Sequence, residues 1–409
     1  MKDFFFNEQL SSMARERLEP SEIGVIGRLA AKSGAISFTV GEPSADIYPL
    51  EELKTAFLTI FDDTSLLAYY KHDFGLAELR EWIARRMKRD LLAPDWVDES
   101  HIMLTNGAGE AIDLVAQTLI DPGSLVLVEA PTFTETLLTF RKQGAQCISV
   151  PSDDDGIIPE AMEEILKKRK VRLLYTIPCF QNPSGRTSPL ERRLAILKLA
   201  ERYDMPIFED DPYHYLSYDG EPPATYLRLS GDDRRVLHSN SFSKLVAPGI
   251  RVGWLVVPDA IIPHLNALRV SSGLSRPAIL HKGLFNYLNG IDFAERVASL
   301  QNVYRERRDG MTRSVEKYLK PLGVKTNFPL GGFFMWGEKD NVGDMADFAR
   351  FAVEKHKIAV IPGTAFFTQD EAHLGKNAFR ISFAKIDAET AEEGTARLAR
   401  AFTEYCSTR

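Results

Sequence analysis

The sequence predicts an α/β protein: a mostly parallel sheet with helices on both faces, followed by a smaller α+β portion. Two observations carry this. Between residues 101 and 258, short apolar runs alternate with helical stretches. Buried strands alternating with helices require right-handed crossovers, which build a parallel sheet covered on both faces. After Pro258 the pattern changes to long amphipathic helices with a few strands between them. A sheet of the first kind carries its ligand at the carboxyl ends of its strands.

In chain order, the segment to about residue 50 is mixed. Ser21 to Lys32, just after Pro20, reads as a helix, and Gly34 to Pro49 as a short strand followed by an irregular loop. Leu76 to Asp90 is a charged amphipathic helix with apolar residues at helical spacing. The apolar runs are Ser124–Val128, Val171–Ile177, Pro206–Phe208, Val236–His238 and Ile250–Val257. Helices fall between them at Ala108–Leu119, Pro159–Lys170 and Pro189–Tyr203. Beyond Pro258, Ala294 to Leu319 reads as a long amphipathic helix. Further strands are expected at Gly332–Trp336, Ile358–Ile361 and Phe379–Phe383, with helices near Asp344–Lys355 and Ala388–Tyr405.

Composition excludes several function classes. The chain has 409 residues, 44% apolar and 26% charged, ordinary for a globular protein of about two or three domains. Three widely spaced cysteines, Cys147, Cys179 and Cys406, form neither a disulfide framework nor a cysteine zinc cluster. A net charge of −7 argues against a nucleic-acid surface. No uncharged apolar stretch approaches the roughly 20 residues that span a bilayer. Phe4 to Phe6 is too short an apolar patch for a signal-peptide core. What remains is an enzyme of a reducing compartment, expected in the cytoplasm, with no nucleic-acid or membrane partner.

The residues just past the apolar runs carry the chemistry. Thr105-Asn106-Gly107-Ala108-Gly109-Glu110 opens a helix. Its glycines let a phosphate approach the backbone, and the helix N-terminus supplies free N–H groups. The same turn, with Glu129 about twenty residues on, partly matches a dinucleotide fingerprint, although Ile112 stands where a third glycine or alanine belongs. The next turn, Ala130-Pro131-Thr132-Phe133, presents an aromatic that packs either a flat ligand or the core. Asn182, in Gln181-Asn182-Pro183-Ser184-Gly185, is either a turn residue or an amide offered to a ligand oxygen. Glu209-Asp210-Asp211 clusters three acids, which burial makes costly unless they are paired. Metal is not expected, because His214 follows Tyr213 directly and points away from Asp211 on an extended chain. Finally Ser241, Ser243, Lys244 and Arg251 lie within eleven residues. Hydroxyls and a guanidinium suit a phosphate, and a lysine desolvated beside another cation becomes a nucleophile for a carbonyl.

Together and in this order, these motifs resemble those of the pyridoxal-phosphate-dependent aminotransferases of fold type I, class I/II, nearest to the 2-aminoadipate, aromatic and branched-chain branch. The resemblance runs from about Ile23 to the last helix. It implies a large domain with a mostly parallel seven-stranded sheet between helices and a smaller α+β domain. Residues 1–50 would join the small domain, 51–288 would form the cofactor-binding domain, and 289–409 the small C-terminal domain. It also implies pyridoxal 5'-phosphate as cofactor and ping-pong transfer of an amino group from an L-α-amino acid to a 2-oxo acid, within amino-acid metabolism and biosynthesis.

The resemblance further implies a role for each matched residue. Lys244 would bond the cofactor's aldehyde carbon and later carry the proton between the substrate Cα and the cofactor C4′. Asp211 would pair with the pyridine nitrogen. Tyr213 and Asn182 would hydrogen-bond the ring's phenolic oxygen, with Asn182 also facing substrate. Phe133 would stack on the ring. Backbone N–H groups of Ala108 and Gly109, with Ser241, Ser243 and Arg251, would hold the phosphate. Arg380, in Phe379-Arg380-Ile381-Ser382, would clamp the substrate α-carboxylate, approached also by Gly41 in Val40-Gly41-Glu42-Pro43. Tyr70, in Tyr70-x₄-Gly75-x₃-Leu79-Arg80, matches a tyrosine that reaches the neighbouring subunit's phosphate. That match implies a homodimer with shared active sites.

Three positions depart from the family pattern. A polar residue, often glutamine, usually stands near Gly109. Lys71-His72-Asp73 puts ionisable groups where small residues and proline are common. Gly24 stands where dicarboxylate-using relatives tend to carry an arginine, which weighs against 2-aminoadipate or glutamate as the main donor unless Arg17 or Arg28 compensates. The alternative reading keeps the cofactor but changes the reaction to elimination, cyclisation, decarboxylation or oxidation. A nicotinamide dehydrogenase leaves Lys244 and Asp211 unexplained. A transcriptional regulator would need a DNA-binding domain, and the resemblance begins too early for one.

Overall fold

The computed structural model describes residues 9–62, 64–67, 74–273 and 277–407. Among the described residues, fourteen strands form three sheets. They are β1 (Ile36–Ser37), β2 (Ile102–Thr105), β3 (Leu125–Ala130), β4 (Gln146–Asp153), β5 (Gly156–Ile157), β6 (Leu173–Thr176) and β7 (Ile207–Asp210). Then follow β8 (Val236–Ser241), β9 (Gly253–Val256), β10 (Val324–Thr326), β11 (Phe334–Lys339), β12 (Ile358–Ala359), β13 (Ile361–Pro362) and β14 (Ala378–Ser382).

The largest sheet runs β2-β9-β8-β7-β6-β3-β4-β5. Strands β8, β7, β6, β3 and β4 are parallel neighbours, while β9 lies antiparallel between β2 and β8. Every residue of β2, β6, β7, β8 and β9 is buried. That is why these strands read as continuous apolar runs rather than alternating ones. The carboxyl ends of β2, β3, β6, β7 and β8 share one edge of the sheet, and each leads into one of the turns singled out above.

The sheet has eight strands rather than the expected seven. The extra one, β5, is a two-residue hairpin partner of β4 in which Ser152 faces Ile157. Strand β4 itself had no counterpart among the apolar runs. Gln146, Ser149 and Ser152 interrupt it, as the near edge of a half-exposed sheet permits. Helices Leu50–Leu58, Thr134–Lys142, Ile262–Gly273 and Ala278–Asn289 have no counterpart in the sequence reading, nor do the short Ser12–Glu16 and Tyr226–Leu229. The others lie within a few residues of expectation, with Leu190–Arg202 and Phe293–Tyr318 as examples.

The second sheet is antiparallel, in the order β10-β11-β14-β13, and its register pairs Trp336 and Ile361 with Arg380. The third joins β1 to β12, pairing Ile36 with Ile358. The N-terminal helix Glu22–Ser33 is thereby tied to the C-terminal part of the chain. Ser21 caps that helix by accepting from the Gly24 N–H, and Gly34, at φ 65°, ends it. One apolar core underlies the large sheet and the long C-terminal helices. A second, containing Ile26, Trp336, Ile361 and Phe366, lies beneath the N-terminal helix.

Candidate active site

At the end of β2, Gly107 adopts φ 76° and ψ 175°, a region open essentially to glycine. This turns the chain so that helix Ala108–Leu119 begins with the N–H groups of Ala108 and Gly109. No side chain caps that helix. Arg251 lies over the turn, its Nη2 donating to the Asn106 carbonyl at 2.6 Å. A Cβ on Gly107 would sit 2.7 Å from that nitrogen, so the glycine leaves a cradle between backbone and guanidinium. At the end of β8, across the intervening β9, Ser241 Oγ donates to Ser243 Oγ at 2.8 Å. A helix N-terminus, two hydroxyls and a guanidinium therefore converge as an anion site.

Two strand ends along, Asp211 is fully buried. Its backbone N–H donates to the Ser239 carbonyl at 2.9 Å, fixing it to β8. Neither carboxylate oxygen receives a hydrogen bond of good geometry from a described residue. His214 Nδ1 lies 3.0 Å from Oδ2 as an ion-pair partner. This corrects the expectation that His214 points away. Residues 212–215 form turns, with the Leu216 N–H reaching the Tyr213 carbonyl at 2.7 Å, so the imidazole returns to Asp211. Burial alone would raise the Asp211 carboxyl, but the adjoining imidazole holds it below the usual carboxylate range. Burial likewise opposes the charged imidazole, yet Asp211 and Cys179 lift His214 to about 10.

A second cluster comes from the antiparallel sheet. Arg380 is buried, with Nη1 donating to Asn182 Oδ1 at 2.7 Å and Nη2 donating to the Thr39 carbonyl. Its guanidinium carbon lies 4.3 Å from the Phe334 ring centre and 5.0 Å from that of Phe366. The Nε has no partner among the described residues. Phe334 is the shared platform: Tyr213 meets it edge-on at 5.8 Å, and a Cβ on Gly41 would overlap it. Lys244 Nζ donates to the Gly41 carbonyl at 2.7 Å. Burial, aided by Arg251 and Arg380 and opposed by Glu42, lowers this amine to about 8. Burial also pushes the Tyr213 phenol up.

The Lys244–Gly41 and Arg380–Asn182 pairs and Tyr213 thus meet around Phe334, and Gly107 to Gly109, Ser241, Ser243 and Arg251 form the anion end. Phe133, half-buried, immediately precedes helix Thr134–Lys142. Tyr70 and Lys71 to Asp73 lie outside the described residues.

Several contributors were not anticipated. Phe334 read as an ordinary core strand residue. Gln181 links two site loops: its Nε2 donates to the Pro131 carbonyl at 2.6 Å and its Oε1 accepts from the Ser184 N–H at 2.8 Å. Glu129, the candidate ribose acid of a dinucleotide site, is buried and accepts from Thr176, the Ile177 N–H and Gln181 at 2.9, 3.0 and 3.2 Å. That carboxylate is committed inside the protein, which removes the dinucleotide reading.

The residues present fit a phosphorylated pyridine aldehyde. Asp210, whose charge reaches Lys244 and Tyr213, would offer a buried carboxylate to a ring N–H, the Gly107 cradle suits a phosphate, and Lys244 would supply an amine of lowered basicity; Asp211, expected in the first of these roles, lies on the opposite side with Glu209 and His238. A site so built belongs to the enzymes that use pyridoxal 5'-phosphate. The chain matches the family of class I and II aminotransferases over residues 33–398 and belongs to it. It is 32% identical to an aromatic-amino-acid aminotransferase of Thermococcus litoralis, over 98% of this chain and 94% of that protein. It is equally 32% identical to a 2-aminoadipate transaminase of Thermus thermophilus, over 94% of each. Among solved structures it resembles a Pyrococcus horikoshii kynurenine aminotransferase in complex with PMP, with TM-score 0.91, 32% identity and 98% of each chain covered. The α-aminoadipate aminotransferase of Thermus thermophilus, in complex with N-(5'-phosphopyridoxyl)-L-leucine, superposes with TM-score 0.88 at 30% identity, over 99% of this chain and 100% of that one. This protein is a pyridoxal-phosphate-dependent transaminase acting on amino acids and 2-oxo acids. The other reactions of the cofactor are not favoured. Among the described residues, no helix is long and apolar enough to cross a membrane.

Proposed function

We propose that Lys244 is the catalytic amine of this transaminase and that the surrounding residues divide into three groups about it. The observation carrying this is the Lys244 Nζ itself, hydrogen-bonded to the Gly41 carbonyl and lowered by burial to about 8. An amine so lowered is available near neutral pH both to anchor an aldehyde and to take a proton. The bound cofactor supplies an electron-withdrawing ring that stabilises negative charge developing at the substrate Cα.

Asp210, the acid whose charge reaches Lys244 and Tyr213, would accept the ring N–H and maintain the positive charge there. Tyr213 and Asn182 donate toward the ring's phenolic oxygen, and Phe133 covers a ring face. The N–H groups of Ala108 and Gly109, with Ser241, Ser243 and Arg251, neutralise the phosphate. Arg380 holds the substrate α-carboxylate beside the Gly41 loop, so the Cα–H faces the lysine. Lys244 then removes the proton from Cα and returns it at C4′. The oxo acid leaves before a second one enters, giving ping-pong kinetics.

The donor is an L-α-amino acid with a free α-carboxylate. The relatives' names span aromatic amino acids, 2-aminoadipate and kynurenine, so a panel of aromatic, acidic and aliphatic donors identifies it. We read the enzyme as a cytoplasmic homodimer serving amino-acid biosynthesis. Leu58, Phe61 and Leu67, 69%, 67% and 61% exposed in the single chain, lead toward the Tyr70 motif and supply apolar area for a partner. We keep the division into residues 1–50, 51–288 and 289–409, which groups the N-terminal segment with the small domain, as the β1–β12 pairing favours.

The test is Lys244→Ala, with folding checked by circular dichroism and turnover followed as formation of a new amino acid from a 2-oxo acid. Turnover is lost if Lys244 is the catalytic amine. Near-normal turnover refutes the assignment.

A further inference from the structure

The acid whose charge reaches Lys244 does not stand alone at its strand end. Asp210, the last residue of β7, is paired in register with Ser239 of β8, and Phe208, two residues before it, with Tyr175 of β6. Residues two apart on a strand share a face. Tyr175, Phe208, Asp210 and Ser239 therefore line one face, and Glu209, Asp211 and His238 gather on the other.

Each oxygen of the Asp210 carboxylate accepts from a hydroxyl on a flanking strand. Ser239 Oγ donates to Oδ1 at 2.8 Å, and the Tyr175 hydroxyl donates to Oδ2 at 2.9 Å. The Tyr175 hydroxyl in turn accepts from Thr136 Oγ1, on helix Thr134–Lys142, at 2.9 Å. That bond leaves the phenol's single hydrogen to Asp210. The Tyr175 ring meets Phe140 edge-on at 5.6 Å and lies tilted against Phe208 at 5.7 Å. Tyr175, Thr136 and Ser239 are 0% exposed and Asp210 2%. The proposed chemistry uses neither Tyr175 nor Thr136.

We propose that Tyr175, its hydroxyl oriented by Thr136, is a positioning residue that fixes the plane of the Asp210 carboxylate for acceptance of the cofactor's ring N–H. The inference rests on the assignment of Asp210 to the ring nitrogen. Its physical basis is the softness of the acid's last torsion. That torsion is broad and two-fold in aspartate, not staggered, so a carboxylate at a strand end swings unless its oxygens are held. Two hydroxyl bonds occupy two of its roughly four lone-pair sites and leave the others for the ring. Ser239 holds one oxygen through a small side chain. Tyr175 is the rigid holder, because its ring is packed on two sides and its own oxygen is engaged. The same bonds favour the charged acid. Burial pushes Asp210 up to about 6, the two hydroxyls and His238 oppose that rise, and Asp211 adds to it.

The test compares equilibrium binding of pyridoxal 5'-phosphate with that of its analogue carrying C–H in place of the ring nitrogen, each followed by quenching of apoprotein fluorescence. The ratio of the two dissociation constants reads the ring-nitrogen contact, because aldehyde and phosphate are common to both ligands. Wild type, Tyr175→Phe, Thr136→Val and Asp210→Ala are compared at one pH. Wild type is expected to prefer the cofactor and Asp210→Ala to lose that preference. Tyr175→Phe is expected to narrow the preference about tenfold, the worth of one hydrogen bond to a charged group, while binding the analogue as wild type does. Thr136→Val narrows it less, and carries the test if the phenylalanine variant does not fold. If both hydroxyl variants weaken the two ligands equally, Tyr175 merely supports the fold around the acid and the inference is overturned. If Asp210→Ala loses the preference while both hydroxyl variants keep it, only the Tyr175 inference fails. If Asp210→Ala keeps the wild-type preference, or wild type has none, the assignment of Asp210 fails and the inference falls with it.

Discussion

Replacing Gly107 with alanine separates two contributions to the anion site. The first is backbone strain. At φ 76° and ψ 175° an L-residue costs about 1–3 kcal/mol, whether or not cofactor is bound. The second is steric. The new Cβ would meet Arg251 Nη2 at 2.7 Å, and the flexible guanidinium yields before the backbone does. Its 2.6 Å bond to the Asn106 carbonyl is then lost. A charge-assisted hydrogen bond to the cofactor phosphate is worth about 1.5–3 kcal/mol, so displacement weakens cofactor binding roughly ten- to hundredfold. Gly109→Ala is the control, because nothing lies within 4 Å of its added Cβ and it sits inside a helix. Thermal melting of apoprotein reads the strain, and cofactor titration reads the displaced guanidinium. Gly107→Ala should melt a few degrees lower and bind the cofactor at least tenfold more weakly, while Gly109→Ala should change neither by much. Equal behaviour of the two variants would refute the account of the cradle.

Two further outcomes follow from the other end of the site. Arg380→Lys keeps the charge but cannot donate two parallel bonds or retain both the Asn182 and Thr39 contacts. It should lower kcat/KM about ten- to hundredfold for amino and oxo acids alike while cofactor affinity stays near wild type; unchanged kcat/KM contradicts the clamp. Because burial lowers the Lys244 amine from 10.5 to about 8, its uncharged fraction grows as pH rises toward that value. Capture of pyridoxal 5'-phosphate by apoprotein should therefore accelerate between pH 6 and 8 and level off near pH 9. Acceleration that begins only above pH 10 means the lysine is not desolvated.

Much of the fold was legible because parallel strands buried on both faces read as apolar runs, and chemistry sits immediately after them. Thr105 to Glu110, Asn182, Asp210 and Ser241 to Arg251 all follow such runs. Strand β4 was not legible because a strand flanked on its outer side only by the two-residue β5 tolerates Gln146, Ser149 and Ser152. His214 was misjudged because one turn, closed by the bond from the Leu216 N–H to the Tyr213 carbonyl, decides which way the imidazole faces. Phe334 and Phe366 carry no mark distinguishing a site wall from a core residue. The Thr39 carbonyl that receives Arg380 is backbone, so side-chain identity says nothing of it. Arg380 itself was found through its resemblance to a known motif rather than through spacing.

The most direct test of transamination is the visible absorption of the purified protein, loaded with pyridoxal 5'-phosphate and then given a mixture of L-amino acids without any 2-oxo acid. A transaminase built on Lys244 is yellow when loaded, loses that band as the amino group passes to the cofactor, and recovers it when a 2-oxo acid is added. A protein that stays colourless with added cofactor, or whose yellow band persists through the whole donor panel, contradicts the central claim.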